Sequence, residues 1–481
     1  MKILYVSSEI TPFAKTGGLA DVAQALPGAL KALGHDIRTV MPKYLSVADQ
    51  RLAMASVQPF TVQMHNGLHH AVAWSAENGS VPTYFIENDA YFNREGYYGE
   101  GGKDYPDNLE RFVFFCKSAI ECCKAMNFLP DVIHCNDWQT ALLPAILEST
   151  YWAYRRDPFF QPLPKLIYTI HNISYQGRFS QDQWSILSLP RSYYSHDFEF
   201  YGQINLTKSA IHLSDAITTV SATYAREIQT TDFGFGLQDV LQRQKDNLFV
   251  ILNGVDYGEW SPETDPHTYG IHYSADDLSG KPQIKTRLQR EYGLPERDDV
   301  PLFGMITRLV EQKGIDLITE CAERILQRDT QMIVLGSGDR RYHDFFEWLR
   351  RSYPDRVGIY IGYNNELAHK IEAGADIFLM PSLFEPCGLN QIYSLKYGTL
   401  PIVRLTGGLA DTIQDGVNGF TFFDFNTDAF LDTVHRAIEA YRHHRDKWKK
   451  MMTTGMGQNF SWQTSAEKYL AVYNNLLAID A

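Results

Sequence analysis

Lys15 precedes the run Thr16-Gly17-Gly18-Leu19-Ala20-Asp21, which recurs letter for letter as Thr406-Gly407-Gly408-Leu409-Ala410-Asp411. Glycines let a ligand approach the backbone, and a helix N-terminus offers unpaired N–H groups with a partial positive charge. Each copy follows an apolar run, Ile3-Leu4-Tyr5-Val6 or Pro401-Ile402-Val403, and precedes a helix-like stretch. Each therefore reads as a place for an anion or a sugar. The lysine beside the first copy adds a full charge, a sensible way to hold a diphosphate. Arg308 and Lys313 follow the apolar run 302–306 and can point from a strand end into a cleft. The plainer readings are two αβ turns that converged on the same letters, and cations that only solvate the surface. One such loop in each half suggests two domains with a ligand between them.

The elements that must position these residues alternate between strand-like and helix-like through both halves, which predicts two doubly wound α/β domains. Expected strands include 2–8, 132–136, 166–171, 216–220 and 249–253, then 302–306, 332–335, 357–360, 377–380 and 401–403. Most are short and apolar, as parallel strands covered on both faces are. In such sheets ligands bind outside the carboxyl ends of the strands. The join falls within 254–300, a proline-bearing, polar stretch of weak periodicity. Pro27 lies inside the first helical pattern and is expected to kink or divide that helix. Residues after Ser461 form an amphipathic pattern with Ala466, Tyr469, Leu470, Tyr473, Leu476 and Leu477 on one side.

Composition narrows the class. At 481 residues the chain exceeds what one core organises. A formal charge of −13 argues against nucleic acid or anionic membrane as a partner, so an anionic ligand requires identifiable local cations. No apolar run reaches spanning length, and the start, Lys2 to Ser7, reads as strand rather than signal peptide. The six cysteines are scattered, without zinc-like spacing, and a cytoplasmic protein with reduced thiols and no metal is expected. Gly336-Ser337-Gly338 starts like a dinucleotide fingerprint but lacks its third glycine, and no P-loop is present.

The chain resembles the bacterial glycogen synthases and plant starch synthases, glycosyltransferase family 5. The resemblance rests on 15–21, His134-Cys135-Asn136-Asp137-Trp138-Gln139-Thr140, Thr169-Ile170-His171-Asn172, Asn253-Gly254-Val255-Asp256 and Glu385-Pro386-Cys387-Gly388-Leu389. It implies two Rossmann-like domains facing across a deep cleft (GT-B type). Residues 1–255 would lie on the acceptor side and 256–460 on the donor side, with 461–481 returning as a helix to the first domain. The implied reaction moves glucose from ADP-glucose to the non-reducing 4-hydroxyl of an α-1,4-glucan, retaining the anomeric configuration, without cofactor. By the same resemblance Arg308 and Lys313 hold the donor phosphates, with Lys15, Gly17, Gly18 and Asp21 in the same site. Glu385 and His171 lie beside the donor glucose, Asp137 and Asn253 face the sugars, and Tyr363 stacks on adenine. Gly388 and Leu389 present N–H groups, and Cys387 packs near the sugar.

The residue types suit this chemistry on their own terms. Breaking a sugar–diphosphate bond leaves positive charge on the ring and negative charge on a phosphate that needs little protonation. It calls for cations, which Lys15, Arg308 and Lys313 supply. Glu385 would stabilise the ring charge, attack it or hold a hydroxyl; its bland reading is a helix-start acid. The aromatic-rich stretches 91–105 and 175–201 suit a glucan path, or core packing. One departure stands out: family members usually carry arginine two residues before the motif glutamate, and here Leu383 occupies that place. Rival readings are a glucosyltransferase acting on small acceptors, of the sucrose or trehalose type, and an inactive glucan-binding scaffold.

Overall fold

The computed structural model describes residues 1–49, 54–79, 81–149 and 158–478. The chain forms two compact units. The first comprises Met1–Val220, Ala225–Gly254 and Trp462–Ala481; the second comprises Ser221–Tyr224 and Val255–Ser461.

The first unit is built on seven parallel strands in the order Leu248–Val250, Ala216–Thr219, Lys165–Ile170, Val132–Asn136, Lys2–Val6, Asp36–Pro42 and Val81–Glu87. Gly67–Asn78 extends it antiparallel, with Ala55–Ser56 and Phe60–Met64 pairing onto that strand. Ile3 to Val6 are all fully buried, because helices cover both faces of the central strands. The helix Gly18–Ala32 runs unbroken through Pro27. The buried stripe Ala20, Val22, Ala23, Leu26 and Leu30 holds it together across the hydrogen bond that proline cannot donate.

The C-terminal helix Trp462–Ala478 packs against Gly18–Ala32 within this unit. Its buried residues, Trp462, Ser465, Ala466, Tyr469, Val472, Tyr473 and Leu476, follow a strict helical stripe. Leu470 and Leu477 fall at the flank and are only half-buried, and Val472 takes the central place. Tyr473 anchors the helix by a 2.7 Å hydrogen bond between its hydroxyl and His134 Nδ1 on a central strand.

The second unit has six parallel strands in the order Val357–Ile361, Gln331–Gly338, Leu302–Leu309, Ile377–Met380, Leu400–Arg404 and Phe420–Phe422. Alternate residues divide between two cores: Phe303, Met305 and Leu309 join one, Leu302 the other. The sheet is therefore covered on both faces. The polar stretch after residue 255 conceals a helix, Gly280–Glu291, whose buried side includes Lys281 and Lys285 beside Ile284 and Leu288. Reading those lysines as solvated hides the periodicity; Lys285 instead pairs with Asp376 at 2.7 Å inside the protein.

Both sheets reverse their strand order beside the strand that opens the unit. In the first the reversal lies between Lys2–Val6 and Val132–Asn136, in the second between Leu302–Leu309 and Ile377–Met380. Crevices beyond the carboxyl ends of such strands are where doubly wound folds bind ligands.

Candidate active site

In the first unit the chain leaves Lys2–Val6 through Ser7, Ser8 and the buried Glu9. The Glu9 carboxylate accepts from the Thr16 hydroxyl at 2.7 Å, from the Thr16 N–H and from the Tyr98 hydroxyl. Burial holds this carboxyl above its usual range, and those hydrogen bonds oppose the shift. The first glycine loop thus begins on an internal anion, which takes the Thr16 N–H. Lys15 pairs with Asp21 at 2.7 Å, and Thr11 donates to the same carboxylate oxygen at 3.2 Å. Beyond Gly17 the space is open: a Cβ there would meet nothing within 4 Å.

Across the reversal, Asp137 directly follows Val132–Asn136 and holds a left-handed backbone at φ 55, uncommon for a residue with a side chain. Its carboxylate accepts from the His171 N–H at 2.8 Å and from the Asn172 N–H at 3.4 Å. Desolvation nevertheless raises its pKa to about 7. Desolvation also pushes the His171 imidazole down to about 3, so the ring is neutral near neutral pH. Its Nε2 lies 2.9 Å from Asn136 Oδ1, an atom that only accepts, so Nε2 carries the proton and Nδ1 keeps a lone pair. Asn136 is itself fixed by Tyr5 and by the Val6 carbonyl. Asn253 lies elsewhere, beyond the edge strand Leu248–Val250; its Oδ1 is buried without a hydrogen-bond partner among the described residues.

In the second unit Lys313 sits on the turn Glu311–Lys313 just after Leu302–Leu309, and Glu385 follows the neighbouring strand Ile377–Met380. Lys313 Nζ and Glu385 Oε2 are 2.6 Å apart, and the Ser382 hydroxyl donates to the same oxygen at 3.0 Å. Arg308 lies on the strand itself, which continues three residues past Ile306; its side chain is exposed and makes no ion pair among the described residues. Tyr363, 73% exposed, follows the edge strand Val357–Ile361, well placed for stacking but separated from Glu385 by two strands.

The loop carrying Glu385 is pinned at every carbonyl from residue 383 to 388. Leu383 O accepts from Arg404 at 2.5 Å, Phe384 O from Gln312 at 3.3 Å, and Glu385 O from the Gly408 N–H at 3.1 Å. Pro386 O accepts from the Ser221 hydroxyl at 2.6 Å, while Gln391 donates to both Cys387 O and Gly388 O, at 3.0 and 3.1 Å. The second glycine pair lies directly beneath: a Cβ on Gly407 would come within 1.8 Å of Glu385 O, and one on Gly408 within 2.1 Å of Cys387 O. This copy is therefore a support for the carboxylate loop rather than an open anion site. Gly388 turns the loop at φ 72, Leu389 caps the helix Asn390–Lys396, and Cys387 is buried.

Sequence reasoning missed Glu9, Ser221, Gln312, Gln391 and Arg404. Each is a polar residue spent on backbone groups, and no spacing reveals which backbone group that is. At Leu383 the side chain supplies no charge, but its carbonyl holds the Arg404 guanidinium beside the loop. The aromatic stretches divide: Tyr98, Trp184, Tyr194 and Phe198 are packed or hydrogen-bonded inside, while Tyr175 and Tyr201 are exposed. All six cysteines are buried, and no described helix is long and apolar enough to cross a membrane.

Two parallel, doubly wound units of this kind define a GT-B glycosyltransferase fold. Residues 2–243 match the family model of the starch synthase catalytic domain, and 288–453 match glycosyl transferases group 1. The chain is 45% identical to glycogen synthase 2 of Geobacter sulfurreducens over 98% of each chain. It is 43% identical to a glycogen synthase of Syntrophotalea carbinolica over 100% of this chain and 99% of the other. Among solved structures, the catalytic domain of starch synthase IV from Arabidopsis thaliana, bound to ADP and acarbose, superposes with a TM-score of 0.91 at 32% identity, covering 99% of both chains. A sucrose-phosphate synthase from Thermosynechococcus elongatus shares the fold at a TM-score of 0.61 and 17% identity, covering 99% of both chains. This chain belongs to the glycogen and starch synthase family.

Proposed function

We propose that the protein elongates α-1,4-glucan in the cytoplasm by moving glucose from ADP-glucose to a non-reducing 4-hydroxyl, with retention and release of ADP. The observation that carries this reading is Glu385, paired with Lys313 and hydrogen-bonded by Ser382 at the strand reversal of the second sheet, on a loop whose carbonyls from 383 to 388 are held. A fixed carboxylate beside a cation is what a sugar–phosphate bond needs: one faces the cationic ring, the other the departing phosphate. Lys313 pairs with Glu385 and is placed to take a diphosphate as a second anion.

Arg308 and Lys15 add charge to the phosphates, with Gly17, Gly18 and Asp21 shaping the approach at Lys15. Gly388 and Leu389 offer N–H groups, and Cys387 packs against the sugar. Tyr363 stacks on adenine. The neutral His171, with its free Nδ1 lone pair, accepts from a glucose hydroxyl. Asp137, poised to take or hold a proton near pH 7, and Asn253, with its unpartnered Oδ1, face sugar hydroxyls. No metal takes part in the step.

The test mixes purified protein and glycogen with radiolabelled ADP-glucose or UDP-glucose. Label entering polymer from ADP-glucose, and much less from UDP-glucose, is expected. Label from neither overturns the reading, and preference for UDP-glucose overturns the donor assignment.

A further inference from the structure

His196 and Asp197 lie on the single-turn π-helix Tyr194–Phe198, and His212 lies in the last turn of the helix Leu206–Leu213. His212 lies 15 residues beyond Asp197, yet the three side chains converge. Asp197 Oδ1 is 2.7 Å from His196 Nδ1 and 3.3 Å from His212 Nδ1, and one ligating atom from each residue lies within 4.8 Å of the other two. Asp197 and His212 are largely buried, with side-chain exposures of 10% and 12%, while His196 is 80% exposed and leaves an open entry. No other trio of histidine, cysteine and acidic residues among the described residues meets this spacing.

The glucosyl transfer uses none of these three groups. We infer that they form a site for a zinc-class divalent ion. Two imidazole nitrogens and one carboxylate oxygen are a ligand set that zinc takes, at about 2.0–2.2 Å each, with a fourth position left for water. A tetrahedral ion with such bonds wants its ligands about 3.3 Å apart; Asp197 already stands 3.3 Å from His212 and 2.7 Å from His196, with all three ligating atoms inside 4.8 Å. π-helical turns are rare and concentrate at functional positions, because the extra residue re-aims side chains that an α-helix would spread around its axis. Here the turn sets adjacent residues 196 and 197 toward one point. Burial and then the charge of Asp197 hold the Glu148 carboxyl above its usual range, which marks a second acidic group near the trio. The ion would clip the π-turn, with its Trp184, Tyr194 and Phe198 packing, to the helix Leu206–Leu213. It would share no ligand with the groups assigned to glucosyl transfer.

The test uses the full chain, stripped with chelator, titrated calorimetrically with Zn²⁺ and spectroscopically with Co²⁺. One equivalent should bind, with the intense visible bands of four-coordinate Co²⁺ and a rise in Tm. His212→Ala and the exposed His196→Ala should each weaken binding at least about tenfold, the low end of losing even an outer partner of a metal ligand. His443→Ala, an exposed histidine ending the helix Thr427–His443 of the second unit, should change nothing. Circular dichroism of both variants separates lost ligands from lost folding. Binding unchanged in both His196→Ala and His212→Ala, or no binding at 100-fold excess over the protein, overturns the site. Glucosyl transfer by the His196→Ala protein reads the proposed function separately.

Discussion

The two copies of Thr-Gly-Gly-Leu-Ala-Asp are identical in letters and unlike in what they do. The first opens a 15-residue helix behind an extended Gly17, with room above it and a Lys15–Asp21 pair beside it. The second opens a helix of six residues at a left-handed Gly407, pressed against the backbone of the Glu385 loop. Their aspartates differ too: Asp21 takes Lys15 and Thr11, while Asp411 takes the N–H and hydroxyl of Thr223. One copy keeps space for a ligand, and the other fills space under a carboxylate. The protein itself requires the glycines only in the second copy, where a Cβ would strike the backbone of the Glu385 loop.

That contrast can be broken by mutation. The largest effect should come from the loop the second copy supports. Glu385→Ala should lower kcat on the order of a hundredfold or more, about 3 kcal/mol of transition-state stabilisation. ADP affinity by calorimetry should stay near wild type; an unchanged kcat removes Glu385 from the reaction. Next, Gly407→Ala should cost about 1–3 kcal/mol of stability, because it combines a positive φ with a clash on Glu385 O. Gly17→Ala, in extended backbone with open space, should leave the urea midpoint unmoved, so any loss of kcat/KM there reports on ligand. Equal destabilisation by the two alanines would erase the distinction.

Lys15→Gln should lower kcat/KM for the donor by about tenfold while Tm stays constant, since an exposed pair such as Lys15–Asp21 contributes at most about 1 kcal/mol. The last prediction concerns pH. Asp137 is raised from 3.8 to about 7, so the folded state holds its proton more tightly than the unfolded chain. Its contribution is complete below about pH 4 and is lost as pH rises through 7. His171, lowered to about 3, has the opposite slope between 3 and 6.5. Asp137→Asn should therefore gain stability relative to wild type as pH rises from 4 to 7, measured by urea midpoints; parallel curves would contradict the buried carboxyl.

Much of the fold was legible because apolar strands announce themselves. The runs 132–136 and 377–380 match the observed strands end to end. Arg308 was misplaced relative to its strand because the edge of pairing lies in polar residues, where hydrophobicity carries no signal. Lys281 and Lys285 hid a helix by being buried cations. The Lys313–Glu385 pair lies where strand ends and family motifs suggested, but the pinning of the loop by Ser221, Gln312, Gln391 and Arg404 depends on tertiary approach. The same limit applies to the glycine repeat, whose two environments are invisible in the letters.

The central claim is tested most directly by locating the transferred sugar. Glycogen labelled by this protein from radioactive ADP-glucose should release its label as maltose on digestion with β-amylase, which removes α-1,4 units from non-reducing ends. Label left in the limit dextrin, or found only in small saccharides, would contradict elongation of an α-1,4-glucan.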